Sequence, residues 1–479
     1  MKKSQRKEIV DSIKSRFIIL DPEGKETEVS SSLLPDLSIL EENPDLKVLV
    51  EIELTKGQEG IELPSIRAMQ ELEMVDYEPA SDKGHFRFYP KGALIFDLLR
   101  LWAEEIALER LGAYTIETPI IYDWNEPDIR SQAESFHEHH YIVRLPDNPE
   151  KEFILRFAGD FGLFRMMRDA QLTYRHLPVR LYEFAPSFRY ESSGNLSGLK
   201  RLRGFWMPDL HSFCLDLNQG LEEYRELYRS YTDLVNGMGV NYAVAFRVVE
   251  DFYNEHKAEL IEMIKYSGAP AFIEILSEMK HYWVLKHEIN TIDCGGGICQ
   301  TSTVQLDIKD ASLYGITYVD SNGKAKGCTI VHSSIGSLER WIFSILEDAL
   351  KKNPPVLPLW LSPTQVRVIP VSEERHLDFC LNIASELKQR RVRIDVDERN
   401  ESLSWRIRAA EREWIPYVVV CGDKEQGGAL LSVRIRGEEQ QQMSISGLAD
   451  LINQQTLEMP FRSLPGMLVS KKPVFRGRD

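Results

Sequence analysis

The sequence predicts an α+β protein, in which a small N-terminal appendage precedes an antiparallel sheet flanked by helices and a compact C-terminal α/β domain follows. Three observations predict it. Between residues 76 and 352 helix and strand patterns follow one another without the regular alternation of a doubly wound fold. At residues 353–358 (NPPVLP) three prolines stop the preceding helix and stiffen a connection. Beyond that connection, strand and helix periods do alternate. The segments so delimited are 1–75, 76–352, a linker at 353–358, and 359–479 with a C-terminal tail.

Taken in order, residues 1–75 carry two strand-like runs, RFIIL and VLVEIEL, around the turn Asp21-Pro22-Glu23-Gly24, too little for an independent core. In the main domain the hairpin signal is strongest at 180–214, with a polar glycine-bearing loop at 192–200. After the linker, QVRVIPV reads as a strand, and HLDFCLNIASELKQ places Leu377, Cys380, Ile383, Ala384 and Leu387 on one helical face. VRIDV, a helix at 402–413, YVVVC, LLSVRI and a last helix complete the domain.

With 43% apolar and 28% charged residues over 479 positions, the chain is globular rather than disordered or fibrous. Its 58 Lys+Arg against 74 Asp+Glu give −16, which excludes coating nucleic acid by bulk charge and leaves room for a local basic groove. The six cysteines form no CxxC pair, the N-terminus has no apolar core of a leader, and no apolar run reaches the roughly eighteen residues of a membrane helix. A soluble, reduced, cytoplasmic protein without a membrane partner is expected.

Three stretches carry chemistry. If residues 204–214 are extended, period two puts Phe205, Met207, Asp209, His211 and Phe213 on one face, as a site floor, and Trp206, Pro208, Leu210, Ser212 and Cys214 on a buried one. Arg189 and Glu191 join the first face, with Arg201 and Arg203 at the loop's return. Guanidinium groups beside an aromatic ring suit an anionic ligand with a base attached, such as ATP. The same residues would equally make the ion pairs Arg189/Glu191 and Arg201/Asp209 on a solvated face. No Walker-type glycine loop is present. In TSTVQLDI (301–308), Thr301, Thr303, Gln305 and Asp307 form the polar side of a half-buried strand. In TIVHSSIGSLERWIFSILEDALKK a strand and a small-residue turn lead into a helix with Arg340 in its first turn, where burial would demand an anionic partner. His137, His139 and His140 read as a polar loop, and the segment from Cys294 to Cys299 as a hairpin turn.

FRYE, RLRGFWMPDLH, STVQLD, GSLER and PLWLSPTQVRVIPV, in this order, make the chain resemble class II aminoacyl-tRNA synthetases, and closely the archaeal threonyl type. The resemblance runs from about VDYEP at 75 to VFRG near the end. It implies a ligase that activates L-threonine with ATP and Mg2+ and transfers it to tRNA(Thr). It implies a homodimer built around Pro119 in TIETPIIYD. In the roles so implied, Arg189 clasps the α-phosphate and the amino acid carboxylate, Glu191 the adenine amino group and Phe205 its ring. Arg201 meets the triphosphate, Arg340 the γ-phosphate, Gln300 the ATP pocket, and Gln305 and Met207 the amino acid pocket. Lys286 matches an active-site lysine, the tyrosine before it being Tyr282 or Trp283, and Asp209 matches the carboxylate that receives the amino group of threonine. Zinc ligands fall on Asp160, His211 and His332, with Asp160 where the family has cysteine; an aspartate keeps the negative charge but is a harder donor. The spacing from His332 to Arg340 is one residue short. Asn400, Arg408, Glu425 and Arg434 match anticodon-reading positions. About 75 N-terminal residues are too few for an editing domain, so serine mischarging is expected to be cleared by a separate factor or tolerated. Another small amino acid as substrate, or an inactive tRNA-binding regulator, are the alternatives.

Overall fold

The computed structural model describes residues 13–30, 38–55, 63–135 and 140–475. The chain divides into two compact units: Met1–Glu62, Ser81–His85 and Ala103–Ser344 form one, Leu63–Ala80, Phe86–Trp102 and Ile345–Asp479 the other.

The first unit is built on a ten-stranded sheet. In chain order its strands are β1 (Ser15–Leu20), β2 (Glu26–Glu28), β3 (Tyr114–Thr115), β4 (Val179–Phe188), β5 (Gly204–Cys214), β6 (Tyr242–Val249), β7 (Ala271–Leu276), β8 (Trp283–Ile292), β9 (Ile298–Asp307) and β10 (Thr329–Ser334). Their spatial order is β2-β1-β7-β6-β8-β9-β10-β5-β4-β3. All neighbours are antiparallel except β6 with β7 and β4 with β3. The expected α+β architecture is therefore present, with helices packed against a largely antiparallel sheet.

The helix Leu217–Met238 shows how that cover is specified. Asp216 caps it by accepting from Gln219 N, and Gly239 ends it in the left-handed region at φ 65°. Leu221, Tyr224, Leu227, Tyr228, Tyr231, Leu234 and Val235 recur at helical spacing and are buried. Fully burying such a side chain contributes about 1.5–3 kcal/mol. Beneath it lies His287 of β8, fully buried, its Nδ1 2.9 Å from the Tyr224 hydroxyl and its ring 4.8 Å from that of Tyr228.

Burial pushes the His287 imidazole down to about 3. An unfolded histidine titrates near 6.5, so between pH 6.5 and about 3 the unfolded chain takes up a proton that the folded chain refuses. The stability His287 contributes is thus fully present above pH 6.5 and declines on acidification, by at most about 1.4 kcal/mol per pH unit. His287→Gln should flatten the urea-unfolding midpoint between pH 6.5 and 4.5 relative to the parent. Superimposable pH profiles of the two proteins would refute the assignment.

The N-terminal region departs from its reading as an appendage. β1 pairs residue for residue with β7, from Ser15 opposite Leu276 to Leu20 opposite Ala271, and is an integral strand of the sheet. VLVEIEL, read as a strand, lies instead in the helix Pro44–Thr55, where Leu46, Leu49 and Val50 are the buried stripe. A short apolar run fits both periods, and tertiary packing decides between them.

The second unit carries a five-stranded sheet ordered Ile394–Val396, Val366–Pro370, Tyr417–Cys421, Leu431–Ile435, Gln441–Met443, parallel in its first two pairings and antiparallel in the others. The helix Glu373–Gln389 buries Cys380, Ile383, Ala384 and Leu387 of the expected face in its core. The 353–358 segment lies inside this unit rather than between units: Pro355 O accepts from Arg436 Nε. Earlier residues join it, with Trp102 against Trp360 (5.1 Å between centroids) and Lys91 Nζ 2.9 Å from Glu413. No helix among the described residues is long and apolar enough to cross a membrane.

Candidate active site

Directly opposed residues of neighbouring strands point to the same side of a sheet, so register alone assembles the site. One row runs Glu274, Arg247, Lys286, Gln305, His332, His211 across β7, β6, β8, β9, β10 and β5. The adjacent row runs Glu288, Thr303, Ser334, Asp209, Glu183 across β8, β9, β10, β5 and β4. Gln300 stands opposite Asn290 because the register shifts between Glu288 and Asn290. That bulge returns Gln300 to the face of Gln305 although their offset along the chain is odd.

One end of the floor collects metal-type donors. Asp160, the first residue of the helix Asp160–Asp169, places Oδ1 3.1 Å from His211 Nε2, and with His332 its donor atoms lie within 4.8 Å of one another. The two imidazoles stand 5.0 Å apart, and the edge of Phe164 packs against both. His332 Nε2 is also 2.8 Å from Asp307 Oδ2, and Asp307, Asp310 and His332 form a second convergent set. Burial drives His211 below its ordinary value. Burial opposes ionisation of Asp160 too, but the hydrogen bond and charge of His211 outweigh it and keep the carboxylate low. Buried beside the Asp160 and Glu183 carboxylates, Asp209 rises to about 7. Two buried histidines and an ionised carboxylate, with a further carboxylate orienting one histidine, fit a four-coordinate divalent ion with an open position. Of the two residues before Lys286, Tyr282 reaches the floor: its hydroxyl donates to Gln305 Oε1 at 2.8 Å and its ring lies 5.1 Å from that of His332, while Trp283 is buried.

The other end collects cations. Arg189 donates Nε to Phe157 O at 3.0 Å, and its guanidinium lies 5.1 Å from the centre of the Phe205 ring. Arg340, half-buried, donates to the carbonyls of Lys200 and Gln300, both at 3.1 Å. Burial and then the like charge of Arg340 lower Arg189, against the pull of Asp209, Glu191 and Asp160. Two guanidiniums held by carbonyl oxygens and repelling each other form a seat for a polyanion. Glu191 pairs with Arg201 at 3.2 Å, a different pairing from the Arg189/Glu191 and Arg201/Asp209 pairs that the residue types had left open. Arg203 is buried and structural, with NH1 2.8 Å from both Asp82 oxygens and the guanidinium 4.2 Å from the Tyr190 ring. On β5 the parity holds but the burial does not. Trp206 is exposed and stacked on Phe184, whereas Phe205 is buried and Met207 half-buried.

Residues 141–349 match the family model described as the tRNA synthetase class II core domain (G, H, P, S and T), and residues 365–455 match the anticodon binding domain. The threonine–tRNA ligase of Pyrococcus furiosus is 42% identical over 475 residues, covering 97% of this chain and 74% of that protein. The chain belongs to the threonine–tRNA ligase family. The enzyme of Thermococcus onnurineus is 41% identical over 99% of this chain and 75% of its own length. Among solved structures, the RNA binding domain of threonyl-tRNA synthetase from Cryptosporidium parvum Iowa II superposes with a TM-score of 0.70 at 23% identity, covering 83% of this chain and 98% of its own. Prolyl-tRNA synthetase of Cryptosporidium parvum gives 0.67 at 15% identity, over 81% of this chain and 76% of its own. At such identities the structures speak for the fold.

In the second unit, Asn400, Arg408 and Arg434 are exposed, whereas Glu425 is buried and its oxygens accept from Gly422 N at 3.1 Å and Ser432 Oγ at 2.6 Å. Glu425 therefore closes a local turn, which the anticodon assignment does not account for. His137 and His139 lie outside the described residues; the ring of His140 packs on Phe157 and Trp124. Sequence reasoning missed Asp307 and Asp310 as donors, and Arg156. The last is 1% exposed and binds Glu183 at 2.7 Å, Thr118 Oγ1 at 2.8 Å and Pro186 O at 2.7 Å.

Proposed function

We propose that this chain activates L-threonine with ATP and transfers it to tRNA(Thr), as a threonine–tRNA ligase, with the two ends of the sheet floor dividing the work. The carrying observation is that Arg189 and Arg340 face one another at one end while Asp160, His211 and His332 converge at the other. In the first step a carboxylate oxygen of threonine attacks the α-phosphorus of ATP; the bond to the bridging oxygen breaks, and pyrophosphate leaves with that electron pair. In the second, a hydroxyl of the terminal ribose attacks the carbonyl carbon and AMP departs. No side-chain nucleophile is required. Arg189 aligns the two anions at the α-phosphate, and Arg340 and Arg201 hold the triphosphate with Mg2+. Glu191, Phe205 and Gln300 seat the adenine end. Lys286, Gln305, Met207 and Asp209 line the amino acid end, the buried Asp209 taking the amino group.

Zinc at Asp160, His211 and His332 would supply an open position for the amino and hydroxyl groups of threonine, a pair that valine lacks. Serine has both groups, and its clearance from tRNA by a separate factor belongs to the same reading. Exposed Tyr114, Ile120 and Ile121 around Pro119, at the β3 end of the sheet, support a homodimer through that region. Asn400, Arg408 and Arg434 offer amide and guanidinium groups to unstacked anticodon bases, in a cytoplasmic enzyme.

The test is amino-acid-dependent ATP–pyrophosphate exchange with threonine, serine, valine and proline, followed by charging of tRNA(Thr). Exchange strongest with threonine or serine, and charging of tRNA(Thr), is expected. Exchange driven by another amino acid would mark a paralogue of changed specificity, and none at all an inactive tRNA-binding protein.

A further inference from the structure

The helix Pro44–Thr55 sends one carboxylate into the sheet floor. Glu53 Oε1 lies 2.8 Å from Arg247 NH2, and the same nitrogen is 3.2 Å from Glu288 Oε2. The other oxygen of Glu288, Oε1, lies 2.6 Å from Lys286 Nζ. Arg247 NH1 bonds Glu274. The side chains are mostly withdrawn from solvent, with 18% of Glu53, 21% of Arg247, 9% of Glu288 and 19% of Lys286 exposed, so these charges are not screened like surface pairs.

We infer that Glu53 is a positioning residue for the active site: through Arg247 and Glu288 it fixes the ammonium of Lys286 in the sheet floor. The inference rests on the reading of Lys286 as an active-site lysine. The physical argument is the sharing of one carboxylate. Glu288 serves two cations, one at each oxygen. While Arg247 also has Glu53 and Glu274, its positive charge is balanced without monopolising Glu288, which keeps Oε1 for Lys286. Without the Glu53 charge, Arg247 NH2 turns wholly to Glu288, the carboxylate is drawn toward Arg247, and Lys286 loses its fixed anchor. The N-terminal helix thereby has a role beyond covering the sheet. Sequence spacing gives no hint of it, because Glu53 and Arg247 meet only through the register of β6 under that helix.

The test is a double-mutant cycle in the full-length protein, with E53Q, K286M and the double variant. It measures kcat and KM for ATP and threonine in pyrophosphate exchange, single-turnover transfer to tRNA, and thermal unfolding. E53Q should lower kcat by about tenfold with KM for ATP changed less than about twofold, and should add less than about twofold in the K286M background. Glu53→Asp should recover part of the loss. Should E53Q fold poorly, R247K provides the same test, since an ammonium cannot hold Glu53 and Glu288 in Arg247's fork. If either variant weakens the enzyme equally with and without Lys286, or leaves a Lys286-dependent enzyme at full rate, the positioning role is overturned. If K286M itself is fully active, the reading of Lys286 has failed, and that result is distinct from the other two.

Discussion

Arg189→Ala is expected to lower threonine-dependent pyrophosphate exchange by about 10^2–10^3-fold, mostly in kcat, because removing one preorganised donor from developing charge costs that much. The structure shows why this arginine should dominate. It is held between Phe157 O and the Phe205 ring, where burial and then the like charge of Arg340 lower its proton affinity. A triphosphate relieves that repulsion on binding, and the arrangement is already aimed when it arrives. Arg189→Lys keeps the charge but loses the fork, so an intermediate loss of about tenfold or more in kcat follows. Circular dichroism should match the parent for both. Exchange by the alanine variant within about threefold of the parent would remove Arg189 from the chemistry.

How much of this was legible beforehand follows from which residues are governed by period alone. The hairpin β4–β5 obeys strict alternation, so His211 and Asp209 fall on one face as expected, and the polar side of β9 brings Gln305 opposite His332. Where alternation breaks, so does the reading. Gln300 reaches the floor only through the bulge opposite Glu288–Asn290, and a second irregularity, between Trp283 and Leu285, directly follows Tyr282, whose hydroxyl donates to Gln305. Bulges have no dependable signature in a single sequence. VLVEIEL failed for another reason, since Leu46, Leu49 and Val50 fit a helix as well as a strand until β6 and β7 lie against them. Resemblance located Asp160 but said nothing of Asp307 and Asp310, which reach His332 from the end of β9 and the start of the short helix Asp310–Tyr314.

The second large effect concerns that donor set. Asp160→Ala is expected to reduce zinc affinity by more than about 100-fold, read directly as metal content after dialysis and as competition with a chromogenic chelator. Threonine-dependent exchange should fall with it. Three donors become two histidines, and His332 remains tied to Asp307 at 2.8 Å, so the weakened site has a competing arrangement to relax into. Asp160→Cys provides the opposite arm: a thiolate in the same place is softer and should tighten zinc binding while exchange persists. Discrimination against valine carries the functional meaning. A pocket relying on shape alone separates such isosteres by only about 10^2-fold, so metal-depleted enzyme should approach that limit and zinc should restore a larger ratio. Unchanged metal content in Asp160→Ala, or a threonine-to-valine ratio indifferent to chelation, would show that Asp160 serves as an ion-pair partner for His211 and that the amino acid is selected by other groups. Because metal content is measured apart from activity, a loss of rate caused by misfolding cannot imitate the expected result.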